Sequence, residues 1–404
     1  MPDLDARESV GAKLAAEIRA RLEPRRGEMA DLLVELVGIE SPTDDPAGLD
    51  RMADRLHELF SPFGPIVRHP IGPGGAGHLV LSVDGAAPGA DGADGAGDGA
   101  RFAAVLGHYD TVWPAGSIER LPARVDSAGI ATGPGCFDMK GGLVQLYYAL
   151  AELRRLGRPP RRALRVLFNC DEEVRSRTSR GLIHELAAGA GVAYVLEAPL
   201  PGGGLKIARK GAAIYRLEIE GRAAHAGIEP EKGASAIVEL AHQIQAVHAL
   251  GDPARGTTVN VGVVGGGTRP NVVAARAHAE IDVRTATMAE AERVDRAIKT
   301  LRPVVPGTRL NPVPDLSRPP MEPTEAGRRL FERARAIAAN VGITDLAGGA
   351  TGGASDANLI AAAGVPTLDG LGPEGGGAHA DDEHVLTESM PRRAALIAGL
   401  LAEV

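Results

Sequence analysis

An apolar run that ends in three consecutive acidic residues constrains the fold of this chain more than any other feature. Residues 163–170 are mostly apolar, and Asp171, Glu172 and Glu173 follow them directly. The run predicts a buried strand that delivers these acids to the end of a sheet. Adjacent like charges are costly there unless a cation or a shared proton compensates them. A metal ion is the simplest cation that meets this need.

Two further predicted strands end in candidate metal ligands. The apolar residues 102–107 lead into His108 and Asp110, and the apolar residues 192–196 lead into Glu197. In open α/β sheets, ligands bind outside the carboxyl ends of the strands. The pattern therefore predicts an α/β fold in which these side chains serve a site at the strand ends.

Two glycine-rich loops supply the remaining candidates. Asp138 lies in residues 132–142, which open onto a helix predicted at 141–156, and His379 lies in the acid-rich residues 375–383. Two histidines with several carboxylates form the nitrogen and oxygen ligand set that suits zinc. Two ions that share one carboxylate could clamp a hydrolytic transition state, and a remaining glutamate could shuttle the proton.

In this order, the motifs resemble those of the dinuclear zinc metallopeptidases that include folate-hydrolysing bacterial glutamate carboxypeptidase, aminoacylase, acetylornithine deacetylase and succinyl-diaminopimelate desuccinylase. Residues 107–112 are similar to the first metal box of that family, residues 133–142 to the second, and residues 171–173 to its acid pair. The resemblance covers nearly the whole chain. It implies a discontinuous catalytic domain, residues 1–210 and 319–404, with a central mixed sheet flanked by helices.

The resemblance also implies a ligand set for two zinc ions, which cobalt or manganese could replace. His108 would bind one ion and His379 the other, and Asp138 would bridge them. Glu173 and Glu197 would complete the two ligand sets.

The catalytic roles follow from the same resemblance. Glu172 would be the general base, and Asp110 would orient the neighbouring ligand imidazole through a hydrogen bond. The family has an unusual cis peptide after its bridging aspartate, which here is the Asp138–Met139 bond. Two residues depart from the family pattern. Tyr109, expected to fill part of the substrate pocket, replaces a small residue, and Met139 replaces a second aspartate.

The spacing of apolar residues in 211–318 differs from that of the flanking segments and predicts a separate domain. The segment reads as strand, helix, strand, strand and helix, at residues 214–220, 234–250, 257–264, 274–284 and 288–301. This order predicts a compact αβ sandwich and resembles the lid or dimerisation domain of the family. The resemblance therefore implies a homodimer formed through this domain.

Five residues resemble substrate-contacting residues of the family. His225 would reach the active site of the partner subunit and stabilise the tetrahedral oxyanion, although a histidine in a turn after a strand can also be structural. Arg284 would grip a substrate carboxylate, with an ordinary surface salt bridge as its alternative role. Asn271, Arg318 and the glycine-rich backbone at Gly353 would also contact the substrate.

The implied activity is hydrolysis of an amide or peptide bond next to a free carboxylate. An N-acyl-glutamate, a folate-like compound or a short peptide is the expected substrate, and N-acyl amino acid deacylation is the alternative within the family. A serine hydrolase is a further alternative, because the sequence around Ser355 approximates Gly-x-Ser-x-Gly. The last alternative is a non-catalytic binding protein with the same fold.

Charge and composition argue against other classes of function. A net charge of -8 repels phosphate backbones, so a nucleic-acid partner is not expected. No long apolar run predicts a membrane span, and the acidic residues 1–8 lack the pattern of a secretory signal. Cys136 and Cys170 lack the spacing of a zinc site and are expected to be reduced thiols of a cytoplasmic enzyme. The low-complexity residues 85–100 are expected to form a flexible loop.

Overall fold

The computed structural model describes residues 9–72, 76–86, 102–315 and 318–403. The N-terminal residues 1–8, and residues 87–100 of the low-complexity segment, lie outside the described residues. The expectations for a missing secretory signal and for a flexible loop therefore stay predictions.

The described residues form both helices and short strands. The helices are α1 Val10–Leu22, α2 Arg26–Gly38, α3 Pro46–Phe60, α4 Ser117–Arg120, α5 Gly141–Arg155, α6 Arg180–Ala187, α7 Ala236–His248, α8 Met288–Lys299, α9 Glu325–Asn340, α10 Asp356–Ala362 and α11 Met390–Glu403. The strands are β1 Ile66–Pro70, β2 Gly77–Val83, β3 Phe102–His108, β4 Arg124–Val125, β5 Ile130–Thr132, β6 Ala163–Asn169, β7 Ala190–Val195, β8 Leu205–Arg209, β9 Gly211–Glu220, β10 Thr258–Gly266, β11 Arg276–Thr285, β12 Arg309–Pro314, β13 Gly348–Thr351, β14 Thr367–Leu368, β15 Gly375–Gly376 and β16 His384–Leu386.

The chain divides into two compact units. The first unit consists of Met1–Ile207, Pro323–Ala350 and Ser355–Val404, and the second consists of Ala208–Glu322 and Thr351–Ala354. The first unit is discontinuous in sequence because the second unit is inserted into it.

A six-stranded mixed sheet organises the first unit, in the order β1-β2-β6-β3-β7-β14. Strands β6, β3, β7 and β14 run parallel to one another, and β2 runs antiparallel to both β1 and β6. Most residues of β3 and β6 are buried, as expected for parallel strands that are covered on both faces. The predicted α/β class with a central mixed sheet and flanking helices is confirmed.

Helix α5 begins close to the carboxyl end of the central sheet. It spans Gly141–Arg155, where the apolar spacing predicts residues 141–156, and most of its residues are buried. A Cβ atom at Gly142 would collide with the carbonyl oxygen of Leu196, directly before Glu197. The glycine therefore allows the helix start and the end of β7 to approach each other closely.

A second, smaller sheet of the first unit holds the two glycine-rich loops. Its order is β15-β16-β5-β4, with β16 antiparallel to both β15 and β5. The loop with Asp138 follows β5, and the loop with His379 connects β15 to β16. The Asp138 loop therefore begins at β5 and the His379 loop ends at β16, the neighbour of β5 in the sheet, although the two loops are far apart in sequence.

The second unit is a four-stranded antiparallel sheet, in the order β10-β11-β9-β12, with α7 and α8 packed against it. Burial alternates along β11, as in a strand with one covered face. The covered face forms an apolar core with residues of both helices, among them Leu240, Val247, Val294 and Ile298. The sequence pattern misses β12, whose Pro312 and Pro314 are unfavourable in central strands but compatible with this edge position.

Candidate metal centre

The strand register brings three groups of candidate residues to the same end of the central sheet. His108 is the last residue of β3 and pairs with Asn169, the last residue of β6. Glu172 and Glu173 therefore lie just beyond the partner of His108 in the sheet. On the other side of β3, Leu106 pairs with Val195 of β7, and Glu197 follows two residues later.

Two groups of ligand atoms form around one shared carboxylate. His108, Asp138 and Glu197 make up the first group, and Asp138, Glu173 and His379 make up the second, with the ligand atoms of each group within 4.8 Å of one another. Asp138 Oδ1 lies 3.3 Å from His108 Nε2, and Asp138 Oδ2 lies 3.2 Å from His379 Nε2. The two oxygens of Asp138 thus face two different histidines.

The glutamates lie beside the same imidazole nitrogens. Glu197 Oε1 is 3.7 Å from His108 Nε2, and Glu173 Oε2 is 3.4 Å from His379 Nε2. The other oxygen of Glu173, Oε1, is buried and accepts no hydrogen bond from the described residues. A buried carboxylate oxygen in this position is suited to a cation.

The charges at the centre shift the pKa values of its histidines upward. Hydrogen bonds to Asp138 and then to Glu173 raise the pKa of His379 to about 10. Burial lowers the pKa of His108, but hydrogen bonds with Asp110 and Asp138 outweigh it and raise this pKa well above its ordinary value. The carboxylates thus carry an excess of negative charge, which a protonated imidazole or a metal ion can neutralise.

Asp110 contacts both the imidazole of His108 and the backbone of Glu172 and Glu173. The Nδ1 atom of His108 lies 3.0 Å from the carbonyl oxygen of Asp110 and 3.5 Å from its Oδ1. Because a carbonyl oxygen only accepts, Nδ1 is the donor and Nε2 faces Asp138 and Glu197. The backbone N–H groups of Glu172 and Glu173 donate to the Asp110 carboxylate at 3.2 Å each, and the hydroxyl of Thr43 donates to it at 2.8 Å. Sequence reasoning missed Thr43, which lies in a loop without a motif.

Asp171, the first residue of the acidic run, has a different environment. Its carboxylate accepts hydrogen bonds from the hydroxyls of Thr178 and Ser179 at 2.7 and 2.6 Å, and from the backbone N–H groups of both residues. Asp171 therefore fixes the loop that carries Glu172 and Glu173, and it belongs to neither group of ligand atoms.

Tyr109 and Met139, the two departures from the family pattern, are both buried. The Tyr109 side chain is 0% exposed, and its hydroxyl donates to the carbonyl oxygen of Gly77 at 2.6 Å. The expectation that it fills part of the substrate pocket is wrong, because it packs in the core. Met139 accepts the backbone N–H of His108 on its sulfur at 3.3 Å, and the Asp138–Met139 peptide bond is cis.

His225 and Asn271 are neighbours within the second unit. His225 forms an isolated β-bridge with Val272, and the N–H of Ala226 donates to the carbonyl oxygen of Asn271 at 3.0 Å. The His225 side chain is exposed, and its Nδ1 accepts the N–H of Gly227 at 3.2 Å. Nδ1 is therefore unprotonated in the neutral ring, and Nε2–H is available as a donor.

The arginine candidates of the second unit differ in their partners. Arg284 forms a bidentate pair with Asp282, at 2.9 and 3.0 Å, on the face of β11 that alternates with the buried residues. Arg318 is 7% exposed and donates to the carbonyl oxygen of Ala354 at 3.3 Å. The neighbouring carbonyl of Gly353 accepts a hydrogen bond from Arg209, a buried arginine at the end of β8 that sequence reasoning missed.

Comparison with known proteins identifies the family. A model of peptidase family M20/M25/M40 matches residues 104–403. The chain belongs to this family. Carboxypeptidase G2 of Pseudomonas sp. (strain RS-16) is 32% identical over 317 residues, which cover 76% of this chain and 75% of that protein. Acetylornithine deacetylase of Myxococcus xanthus is 28% identical over 225 residues, 52% of this chain and 56% of that protein.

The fold of this peptidase is shared with solved structures. The aminopeptidase PepT from Bacillus cereus ATCC 10987 superposes with a TM-score of 0.74 at 24% identity, over 94% of this chain and 98% of that one. The resemblance inferred from the motifs is confirmed, and the chain is a metal-dependent hydrolase. The imidazole and carboxylate donors of the two groups fit a metal ion, since they supply nitrogen and oxygen ligands around a shared, half-buried carboxylate.

The structure gives no support to a serine nucleophile. Ser355 is 1% exposed and caps α10, where its hydroxyl oxygen accepts the N–H of Ala357 at 3.2 Å. The side-chain oxygen of Asn358 accepts the N–H of Ser355 in return, which completes a capping box. Ser355 therefore starts a helix.

In the described part of the chain, no helix has both the length and the apolar character needed to cross a membrane.

Proposed function

We propose that this peptidase hydrolyses an amide or peptide bond next to a free carboxylate, as a glutamate carboxypeptidase does, with two zinc ions. The observation that carries the proposal is the Asp138 carboxylate, whose two oxygens face His108 and His379. A shared carboxylate between two similar ligand groups is the arrangement that paired hydrolytic metal ions require. The similarity to carboxypeptidase G2 over three quarters of both chains supports the carboxypeptidase assignment.

In this proposal, His108, Asp138 and Glu197 hold one ion, and Asp138, Glu173 and His379 hold the other. Mixed imidazole and carboxylate ligands favour zinc, and they also accept cobalt or manganese. When bound, the ions would polarise the scissile carbonyl and lower the pKa of water at the site.

Glu172 is the proposed general base. Its side chain is 7% exposed, it belongs to neither ligand group, and its negative charge acts on His108. Asp110 fixes its backbone through the N–H hydrogen bond. From this position the Glu172 carboxylate would accept a proton from the attacking water and then pass it to the leaving nitrogen.

The second unit is proposed to act as a lid and dimerisation domain that recognises the substrate. The exposed Nε2–H of His225 would donate to the developing oxyanion in the active site of the partner subunit, with Asn271 beside it. Arg284 would bind the substrate carboxylate in exchange for its pair with Asp282. Arg318 and the exposed backbone at Gly353 would contact the rest of the substrate.

A homodimer is proposed through the edge of the second sheet. β10 is an edge strand, and its Val263 and Val264 are 50% and 56% exposed. Ile237 and Val238, at the start of α7, are also exposed. An apolar edge strand of this kind is a ready site for pairing with another chain.

We also infer a cytoplasmic location, since Cys136 and Cys170 are free thiols.

N-acyl amino acid deacylation is the second candidate function. It is supported by the similarity to acetylornithine deacetylase over about half of both chains. Both reactions cleave an amide that carries an amino acid carboxylate, so the metal centre and Glu172 would serve either one.

A substrate panel tests the proposal. The purified protein would be assayed against N-acyl-glutamates, other N-acyl amino acids and dipeptides, before and after metal removal by a chelator. The proposal predicts the highest kcat/KM for substrates with a C-terminal glutamate, complete loss on metal removal, and recovery on addition of zinc. Preference for N-acetylated basic amino acids would favour the deacylase, and activity that survives the chelator would refute both.

A further inference from the structure

A buried carboxylate outside the two ligand groups reaches into the loop that carries Asp138. Glu383 is 2% exposed. Its Oε1 accepts the backbone N–H groups of Phe137 and Asp138 at 2.9 and 3.0 Å. Its Oε2 accepts the backbone N–H of Gly135 at 3.0 Å and the indole N–H of Trp113 at 2.7 Å. All four partners are donors, so the Glu383 carboxylate acts as an acceptor with both of its oxygens.

The loop before Asp138 is shaped around this carboxylate. Gly135 has a φ of 72°, in the left-handed region that favours glycine. This conformation lets the N–H groups of Gly135, Phe137 and Asp138 converge on one anion, as in the backbone concavities that bind anions in other proteins. The carboxylate of Glu383 fills that concavity and accepts hydrogen bonds from three backbone donors.

Glu383 belongs to the loop that carries His379. Its own N–H donates to the carbonyl oxygen of Ala380 at 2.9 Å, and the N–H of Ala380 donates to Gly377 at 2.9 Å. The next residue, His384, pairs with Gly376 and with Thr132 in the small sheet. The Glu383 side chain therefore fastens the His379 loop to the Asp138 loop.

We propose that Glu383 is a positioning residue that holds Asp138 where it can be shared by both ligand groups. The inference rests on the proposed role of Asp138 as the bridging ligand. Because Asp138 belongs to both groups, loss of the Glu383 carboxylate weakens the binding of both ions together. Groups that orient metal ligands typically change metal affinity by about 10- to 100-fold when they are replaced.

The test compares three variants after removal of metal by a chelator. Glu383→Gln keeps the size of the side chain but removes its charge. Asp382→Asn is the matched control, since it makes the same change at the preceding, exposed residue of the same loop. Asp138→Asn alters the proposed ligand itself. Zinc affinity would be measured by competition with a chromophoric chelator, at a temperature at which each variant keeps the wild-type circular dichroism spectrum.

The proposal predicts that Glu383→Gln lowers the affinity for both zinc ions by about 10- to 100-fold, while Asp382→Asn binds zinc as the wild type does. If Glu383→Gln only lowers the melting temperature and keeps its zinc affinity, while Asp138→Asn loses zinc, the positioning role is refuted and the ligand set stands. An equal loss in Asp382→Asn would also refute it, as a general effect of loop charge. Wild-type zinc binding by Asp138→Asn would refute the ligand set and the positioning role together.

Discussion

Replacement of Glu172 by glutamine tests the assigned base with the smallest change of shape. The Glu172 side chain is 7% exposed, and its backbone N–H donates to Asp110 Oδ1 at 3.2 Å. Glutamine keeps the volume and this backbone contact, so the loop should retain its conformation. Since Glu172 belongs to neither ligand group, Glu172→Gln should also retain the metal ions.

The expected effect is confined to the chemical step. General acid–base catalysis typically contributes about 10²- to 10⁴-fold, and each factor of ten corresponds to about 1.4 kcal/mol of activation free energy. Glu172→Gln should therefore lower kcat by about 10²- to 10⁴-fold, or roughly 3 to 5.5 kcal/mol. KM should change little, because the proposed substrate-binding residues His225 and Arg284 lie in the second unit.

The assay measures steady-state hydrolysis of an N-acyl-glutamate together with the metal content of the same protein sample. Glu173→Gln is the matched control, because its carboxylate belongs to the second ligand group and its loss should reduce the metal content. A Glu172→Gln variant that keeps more than about a tenth of the wild-type kcat would refute the assignment, since the lower bound for a lost base is about 10²-fold. Loss of metal in that variant would show that Glu172 is a ligand.

Three further substitutions test other parts of the account. Asp171→Asn removes the charge from a carboxylate that accepts four hydrogen bonds, so the free energy of unfolding should fall by about 3 kcal/mol. Urea denaturation would measure this change, and an unchanged midpoint of the unfolding transition would contradict the role of Asp171 in the loop. His225→Ala should lower kcat by about 10²- to 10³-fold with unchanged metal content, as expected for loss of an oxyanion donor, and a wild-type kcat would exclude that role. Glu290→Gln should lower the melting temperature at pH 7, because hydrogen bonds from Arg293 and Thr257 lower the pKa of Glu290 to about 2. This stabilisation is present above the ordinary pKa of 4.5 and is lost as the pH falls toward 2. The difference in melting temperature between wild type and variant should therefore shrink over that range. A melting-temperature difference that stays constant would contradict the lowered pKa of Glu290.

The strand-end residues could be predicted from sequence because the local signal is strong. Apolar runs that end in His108, in Glu172 and Glu173, and in Glu197 correspond to β3, β6 and β7 with their following loops. Parallel pairing then places these ends side by side, so the pattern alone indicates a common site. In the same way, the order β9, α7, β10, β11 and α8 of the second unit follows from apolar residues at strand and helix spacing, whereas β12 does not.

The roles within acidic clusters do not follow from the local sequence pattern, because they depend on where each side chain points, and the roles expected of Glu172 and Glu173 came from the family resemblance. Asp171 and Glu173 are two residues apart in one acidic run, yet Asp171 binds Thr178 and Ser179, whereas Glu173 faces His379. Glu383 likewise belongs to an acid-rich loop but contacts the backbone of a loop far away in sequence. Such contacts are set by tertiary packing, which leaves no local pattern.

The pairing of Arg284 could not be predicted from sequence either. Asp282 and Arg284 lie two residues apart on β11, so both point to the same face of the sheet and can form a bidentate pair. The sequence shows the spacing, but it does not show whether the arginine is paired with this neighbour or reserved for a substrate.

The positions of bound zinc ions would show whether two ions share Asp138. An anomalous difference map from crystals of the zinc-loaded protein would show where the ions bind and how many there are. We expect two peaks next to the Asp138 carboxylate, one beside His108 and Glu197 and the other beside Glu173 and His379. A single peak, or peaks away from Asp138, would contradict it.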